Sequence, residues 1–213
     1  MKGSHNLVPH RSIHDNVLVV HEILNKFRFL KGKRGYVALK LDMEEGYDRI
    51  EWDFLFSCLI EMGFHRTWIN WIKEYVTIVS YFLIINKKTC GFFKPTSGLR
   101  QGDPLSPYLF IICMDILAQR LYQQASLPKS GIGIQIAKGA HKIPCLFFMD
   151  DSLLFCKTTT QACQNLNNIL ANFCQASSQV INFYKSIVVF SKSTTTADNK
   201  MWAVFLTYPK ERP

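Results

Sequence analysis

Residues 146–155 read Leu-Phe-Phe-Met-Asp-Asp-Ser-Leu-Leu-Phe, with two adjacent carboxylates, Asp150 and Asp151, set between apolar runs. Aspartate is a poor strand residue, and two inside a buried segment would need partners for their charge. A β-hairpin resolves the conflict: a strand over 143–148, a tight turn over 149–151 and a strand over 152–156. The turn then carries both carboxylates out at the end of the sheet. Such a pair, with nothing basic beside it, is a hard-oxygen site for a divalent cation such as Mg²⁺. The competing reading is an ordinary acidic turn, since aspartate is common in turns for conformational reasons alone. A second stretch changes the weighing. Residues 36–42, Tyr-Val-Ala-Leu-Lys-Leu-Asp, are strand-like and end in Asp42. Laid beside the hairpin, they would bring three carboxylates to one sheet edge. Two-metal phosphoryl transfer needs such a cluster: cations about 3.5–4 Å apart, one activating the attacking oxygen and one stabilising the leaving group.

Four blocks in chain order carry a family resemblance. Arg11-Ser12-Ile13-His14-Asp15-Asn16 is similar to G-R-S-I-H-D-N. Residues 41–53, from Leu41-Asp42-Met43 through Tyr47-Asp48-Arg49 to Glu51-Trp52-Asp53, are similar to L-D-M-x-K-A-Y-D-R-V-E-W-D. Residues 98–107 read G-L-R-Q-G-D-P-L-S-P without a mismatch, and Phe147-Phe148-Met149-Asp150-Asp151 is similar to F-F-A-D-D. Over roughly residues 7–192 the chain resembles the palm of a reverse transcriptase, most closely that of plant LINE-type (non-LTR) retrotransposons.

The resemblance implies an α+β fold, a polymerase palm-like antiparallel sheet backed by helices. It implies catalytic and metal-binding roles for Asp42, Asp150 and Asp151, with two Mg²⁺ ions (or Mn²⁺) as cofactors. It implies a nucleotide pocket of Met43, Tyr47, Arg100, Gln101 and Gly102. Tyr47 would lie under the sugar of the incoming deoxynucleotide and leave no room for a 2′-hydroxyl. Lys185 would protonate the leaving pyrophosphate. The implied partners are an RNA template, a DNA primer and deoxynucleotide triphosphates. Taken without the family, Tyr47 is an ordinary core aromatic and Lys185 a surface lysine. Two positions depart from the pattern: Gly46 replaces alanine, at some cost in helix propensity, and Met149 replaces alanine, which retroviral members of the superfamily tolerate.

Composition agrees with a folded nucleic-acid partner. The 213 residues are 48% hydrophobic and 19% charged, with a net charge of +9. That is enough chain for a sizeable core, and the basic balance suits a polyanion. Seven cysteines without a C-x-x-C pair read as small buried hydrophobes in a reducing compartment. No apolar run reaches the roughly 18 residues of a membrane span, and residues 1–6 are too polar for a signal peptide.

The elements that must position the site follow from periodicity. A first helix starts near Ser12, with Ile13, Val17, Val20, Leu24 and Phe27 on one face, and ends in the glycine- and lysine-rich run 31–35, read as a solvated loop. Helices follow at about 53–62 and 67–79; in the second, the tryptophans read as core. Residues 81–85 and 91–94 form a hairpin. The loop 98–107 leads into a helix with Pro104 in its first turn and free N–H groups for an anion, with Leu109, Phe110, Cys113, Met114, Leu117 and Leu121 inward. A short strand at 131–136, a helix at about 160–175 and a strand over Ile187–Phe190 complete the core.

At the ends the resemblance stops. Only about ten residues precede the Arg11 block, where the family has its fingers, and no primer grip or thumb follows Lys192. The expectation is a palm core over 7–192, cut at both ends, with 193–213 a degenerate or poorly ordered tail. A separate protein supplying fingers and thumb is a partner this leaves open. Two rival readings remain beside a working polymerase fragment: a catalytically silent relic or nucleic-acid-binding module, and an unrelated two-metal enzyme.

Overall fold

Alternation along β1 (Tyr36–Glu44) organises the molecule. In the computed structural model, which describes residues 13–30, 35–148 and 151–207, its odd-numbered residues Val37, Leu39, Leu41 and Met43 enter the main core. Its even-numbered residues Tyr36, Ala38, Lys40 and Asp42 lie on the other face, as the period of two requires. Five strands form the central antiparallel sheet. β6 (Cys145–Phe148), β7 (Asp151–Lys157), β1 and β8 (Val180–Ile181) run in that order, and β9 (Ile187–Phe190) also pairs with β1. Five helices add buried residues to the core on the odd face: α2 (Trp52–Glu61), α3 (Arg66–Thr77), α4 (Ser106–Ser126), α5 (Thr160–Ser177) and α6 (Thr196–Thr207). α1 (Ile13–Phe29) covers the even face, where Ile23 and Phe27 pack with Ala38, Leu146 and Phe155, and Phe148 and Leu153 join the same cluster. The expected α+β palm sheet is the observed architecture.

Several expectations about single elements are corrected. α1 turns a different stripe inward: Asn16, Ile23 and Phe27 are buried while Val17 is 42% exposed. The spacing 16-20-23-27 is the helical face, and the polar Asn16 hid it from an apolar count. Its side chain donates to the Phe147 carbonyl at 3.5 Å, which ties α1 to the strand leading into the aspartate turn. Ser12, near which the helix was expected to start, and the loop 31–34 lie outside the described residues. α3 (Arg66–Thr77) stacks Trp68 on Phe64 but leaves Trp71 61% exposed, so that tryptophan is not core. α4 begins at Ser106, so Pro107 and not Pro104 occupies its first turn. The strand expected over 131–136 reduces to β4 (Ile134–Gln135), paired with β5 (Lys142–Ile143). β2 (Tyr81–Ile85) and β3 (Lys88–Phe93) make the expected hairpin, exposed along its whole length, with Tyr81 and Phe93 stacked 5.5 Å apart across the strands.

The supposed tail is also different. Thr195 accepts the Asp198 N–H at 3.2 Å and donates to its carboxylate at 2.8 Å, a reciprocal cap that starts α6. About two turns after Thr195, Trp202 is fully buried against the core. Residues 208–213 lie outside the described residues. Of the cysteines, four are buried, Cys163 and Cys174 are half-buried and Cys90 is exposed; all seven are free. No helix among the described residues is long and apolar enough to cross a membrane.

Candidate active site

The sheet register brings two of the three aspartates together. β1 and β7 pair antiparallel with Asp42 directly opposite Asp151. Side chains at directly opposed positions share a face, with Cβ atoms about 4.5–5.5 Å apart. Asp151 opens β7 instead of sitting in the turn, and Asp150 with Met149 lies outside the described residues. Among the described residues no three His, Cys, Asp or Glu side chains cluster; the described donors are the two carboxylates. Hard, anionic oxygens on one face, half open to solvent, suit Mg²⁺ or Mn²⁺ and would be a poor site for a soft metal. The residues present therefore fit the implied ions.

The expectation of nothing basic beside the pair fails. Lys40, two residues before Asp42 and hence on its face, places Nζ 2.7 Å from the Asp151 carboxylate. The lysine comes from the neighbouring strand, so inspection of 146–155 alone could not find it; the period of two along 36–42 could have.

Lys185 reaches the same edge through the backbone. The Asn182 N–H donates to the Asp42 carbonyl at 2.9 Å, and the Asp42 N–H donates to Ser186 Oγ at 3.3 Å. The turn 182–186 is thus clamped onto Asp42, with Lys185 exposed at its tip.

The five residues assigned to nucleotide binding line one cleft of about 550 Å³: Met43, Tyr47, Arg100, Gln101 and Gly102. Two distant blocks are zipped together to build it. Leu99 N–H donates to the Tyr47 carbonyl and Gly98 N–H to that of Ile50, each at 2.8 Å. Trp52 Nε1 donates to the Gly98 carbonyl at 2.8 Å, and the Gln101 amide donates to Asp48 Oδ2 at 3.0 Å. Asp48, which the sequence reading passed over, orients Gln101.

Tyr47 is held as a ring, not as a loose side chain. It stacks on Phe110 of α4, with centroids 4.7 Å apart and planes 13° apart. A Cβ added at Gly46 would lie 3.3 Å from that same Phe110 ring. The departure from alanine thus makes room for the ring that supports Tyr47, and buried Gln179 fixes the Gly46 carbonyl at 2.8 Å.

Arg100 lines the cleft but is engaged elsewhere. Its guanidinium lies 4.4 Å over the Tyr75 ring, donates to the Tyr75 carbonyl at 3.2 Å, and stands 3.6 Å from the Asp103 carboxylate. Bonds from the Tyr75 hydroxyl and the Leu105 N–H hold the Asp103 carboxyl below its ordinary value. Asp103 thereby takes up backbone donors at the start of α4, among them Leu105 at 2.9 Å. The helix start expected to offer them to an outside anion already has a carboxylate of its own.

Comparison with known proteins agrees with this geometry. The chain is 29% identical over 188 residues to the Retrovirus-related Pol polyprotein from type-1 retrotransposable element R2 of Nasonia vitripennis, covering 79% of the chain and 16% of the polyprotein. An uncharacterized mitochondrial protein of Arabidopsis thaliana is 44% identical over 72 residues, 32% of the chain and 56% of that protein. The chain thus spans less than two thirds of either relative. The structure of telomerase from Candida tropicalis with a fragment of telomeric RNA aligns at a TM-score of 0.63 and 12% identity, over 87% of this chain and 30% of that one. Candida albicans telomerase aligns at 0.60 and 18% identity, over 87% of this chain and 31% of that one. At such identities the likeness establishes the fold, the palm type of polymerase. The model for reverse transcriptase (RNA-dependent DNA polymerase) matches residues 2–201, and the chain belongs to that family.

Proposed function

We propose that this chain is the palm core of a LINE-type, plant-like non-LTR retrotransposon reverse transcriptase and transfers deoxynucleotides to a primer 3′-hydroxyl on an RNA template. The observation that carries the reading is the register that sets Asp42 against Asp151, one residue along β1 from Met43 in the cleft wall. Asp42, Asp150 and Asp151 would hold two divalent ions, which when bound lower the pKa of the 3′-hydroxyl and neutralise charge on the phosphates. The primer oxygen forms a bond to the α-phosphorus, the bond to pyrophosphate breaks, and Lys185 gives a proton to the departing oxygen. Gln101, oriented by Asp48, bears on the nucleotide. The net charge of +9 draws the polyanionic template and primer to the surface.

Tyr47 excludes the ribose 2′-hydroxyl because Phe110 prevents its ring from swinging away. Tyr47→Ala should therefore raise ribonucleotide incorporation relative to deoxynucleotide by about tenfold or more, read as the ratio of kcat/KM values. An unchanged ratio would remove Tyr47 from that role.

The test of the whole reading is primer extension by the purified chain on an RNA template annealed to a DNA primer, with Mg²⁺ and four deoxynucleotides. Extension that Asp150→Ala abolishes supports it. A folded protein that binds the template–primer without extending it would instead be a nucleic-acid-binding module.

A further inference from the structure

Two carboxylates directly opposed across a strand pair repel one another. Asp42 and Asp151 are so placed, at an edge only half open to water. The sheet contains its own remedy in Lys40. Its cross-strand neighbours are Leu153 on β7 and Ile187 on β9, so it has no charge partner directly opposite. It reaches diagonally to Asp151 instead, with Nζ at 2.7 Å. Both members of the pair remain more than a third exposed, so the bond is weak enough to exchange.

We propose that Lys40 is a built-in counter-cation of the aspartate edge, a positioning residue that holds Asp151 and must release it before a divalent cation takes the carboxylates. This rests on the metal-binding role proposed above. The ammonium and the ion compete for the same Asp151 oxygens, so the lysine lowers metal affinity. In return it keeps Asp151 beside Asp42 when no ion neutralises them. Arg49, the nearest cation after Lys40 along the chain, is engaged with Glu44 and Glu45 at 3.8 Å each and does not serve this edge.

The experiment is Mn²⁺ binding by the intact chain, followed by electron paramagnetic resonance, for the wild type, Lys40→Met, Lys40→Arg and Asp151→Asn. Methionine keeps the unbranched stem and removes the charge. It should tighten Mn²⁺ binding at least about threefold, the scale of an exposed ion pair, while arginine stays near wild type. Damage to the fold would weaken binding, so the direction separates competition from structural loss. Unchanged or weaker binding in Lys40→Met, with wild-type binding intact and Asp151→Asn defective, overturns the role of Lys40 and leaves the metal site standing. Binding absent from wild type but present in Lys40→Met supports it. Binding absent from all four proteins overturns the metal site and the lysine's role together.

Discussion

Gly98→Ala should destabilise the fold by about 3 kcal/mol, a large effect for adding one methyl group. Gly98 has a φ of +89°, a region that side-chain-bearing residues enter at a cost of roughly 1–2 kcal/mol. The added Cβ would also lie 2.7 Å from the Asp48 carbonyl oxygen and 3.1 Å from Asp48 C and Cα. Those atoms are backbone and cannot swing aside. Relief requires moving 98–101 away from 47–50, which strains the bonds to Ile50 and from Trp52, each worth about 1 kcal/mol. Gly102 is the internal control. It has a similar φ of +82° but nothing within 4 Å of an added Cβ, so Gly102→Ala should cost only the conformational part. Urea unfolding with unchanged slope measures both. Equal losses at the two glycines would mean that the close approach at Gly98 contributes nothing.

That contact explains why the cleft was legible in the sequence only in part. The strands bearing Asp42 and Asp151 were readable because apolar runs announce themselves locally, although β1 continues two residues past Asp42 and Asp151 opens β7 instead of sitting in the turn. Their mutual register was not, since β1 and β7 are more than a hundred residues apart and nothing local specifies which residue faces which. Lys40 shows the consequence: it is unremarkable in 36–42 until Asp151 is placed diagonally across from it. Arg100 shows the converse. The resemblance placed it in the nucleotide pocket, and it does line the cleft, but Tyr75 and Asp103, from a helix and a turn, claim its guanidinium. Asn16 and Trp202 misled for a different reason. A buried polar residue disrupts an apolar count, and a run of hydroxyl residues resembles a tail until Thr195 and Asp198 are seen to cap a helix.

Asp42→Asn should lower primer extension by at least about a thousandfold, some 4 kcal/mol of transition-state stabilisation, while leaving the fold as stable as before or slightly more so. The two readouts diverge because Asp42 is fixed through its backbone. Its N–H donates to Ser186 and its carbonyl accepts from Asn182, and asparagine keeps both bonds. What changes is one negative charge opposite Asp151, whose removal relieves repulsion across the strand pair. In the proposed site the lost charge would also be a hard oxygen ligand, and an amide is a far weaker donor to Mg²⁺. Thermal stabilisation by Mg²⁺ or Mn²⁺ should therefore shrink together with activity, although the unliganded protein melts no earlier. Asp42→Glu sharpens the comparison: it restores the charge but displaces it by one methylene, and positional demands on reacting groups are severe enough that activity should stay low. Extension within tenfold of wild type in Asp42→Asn, or an unaltered metal response, would show that the residue facing Asp151 is an acidic strand residue and not part of a catalytic centre. A matching fall in stability and activity would point the same way, toward a structural carboxylate.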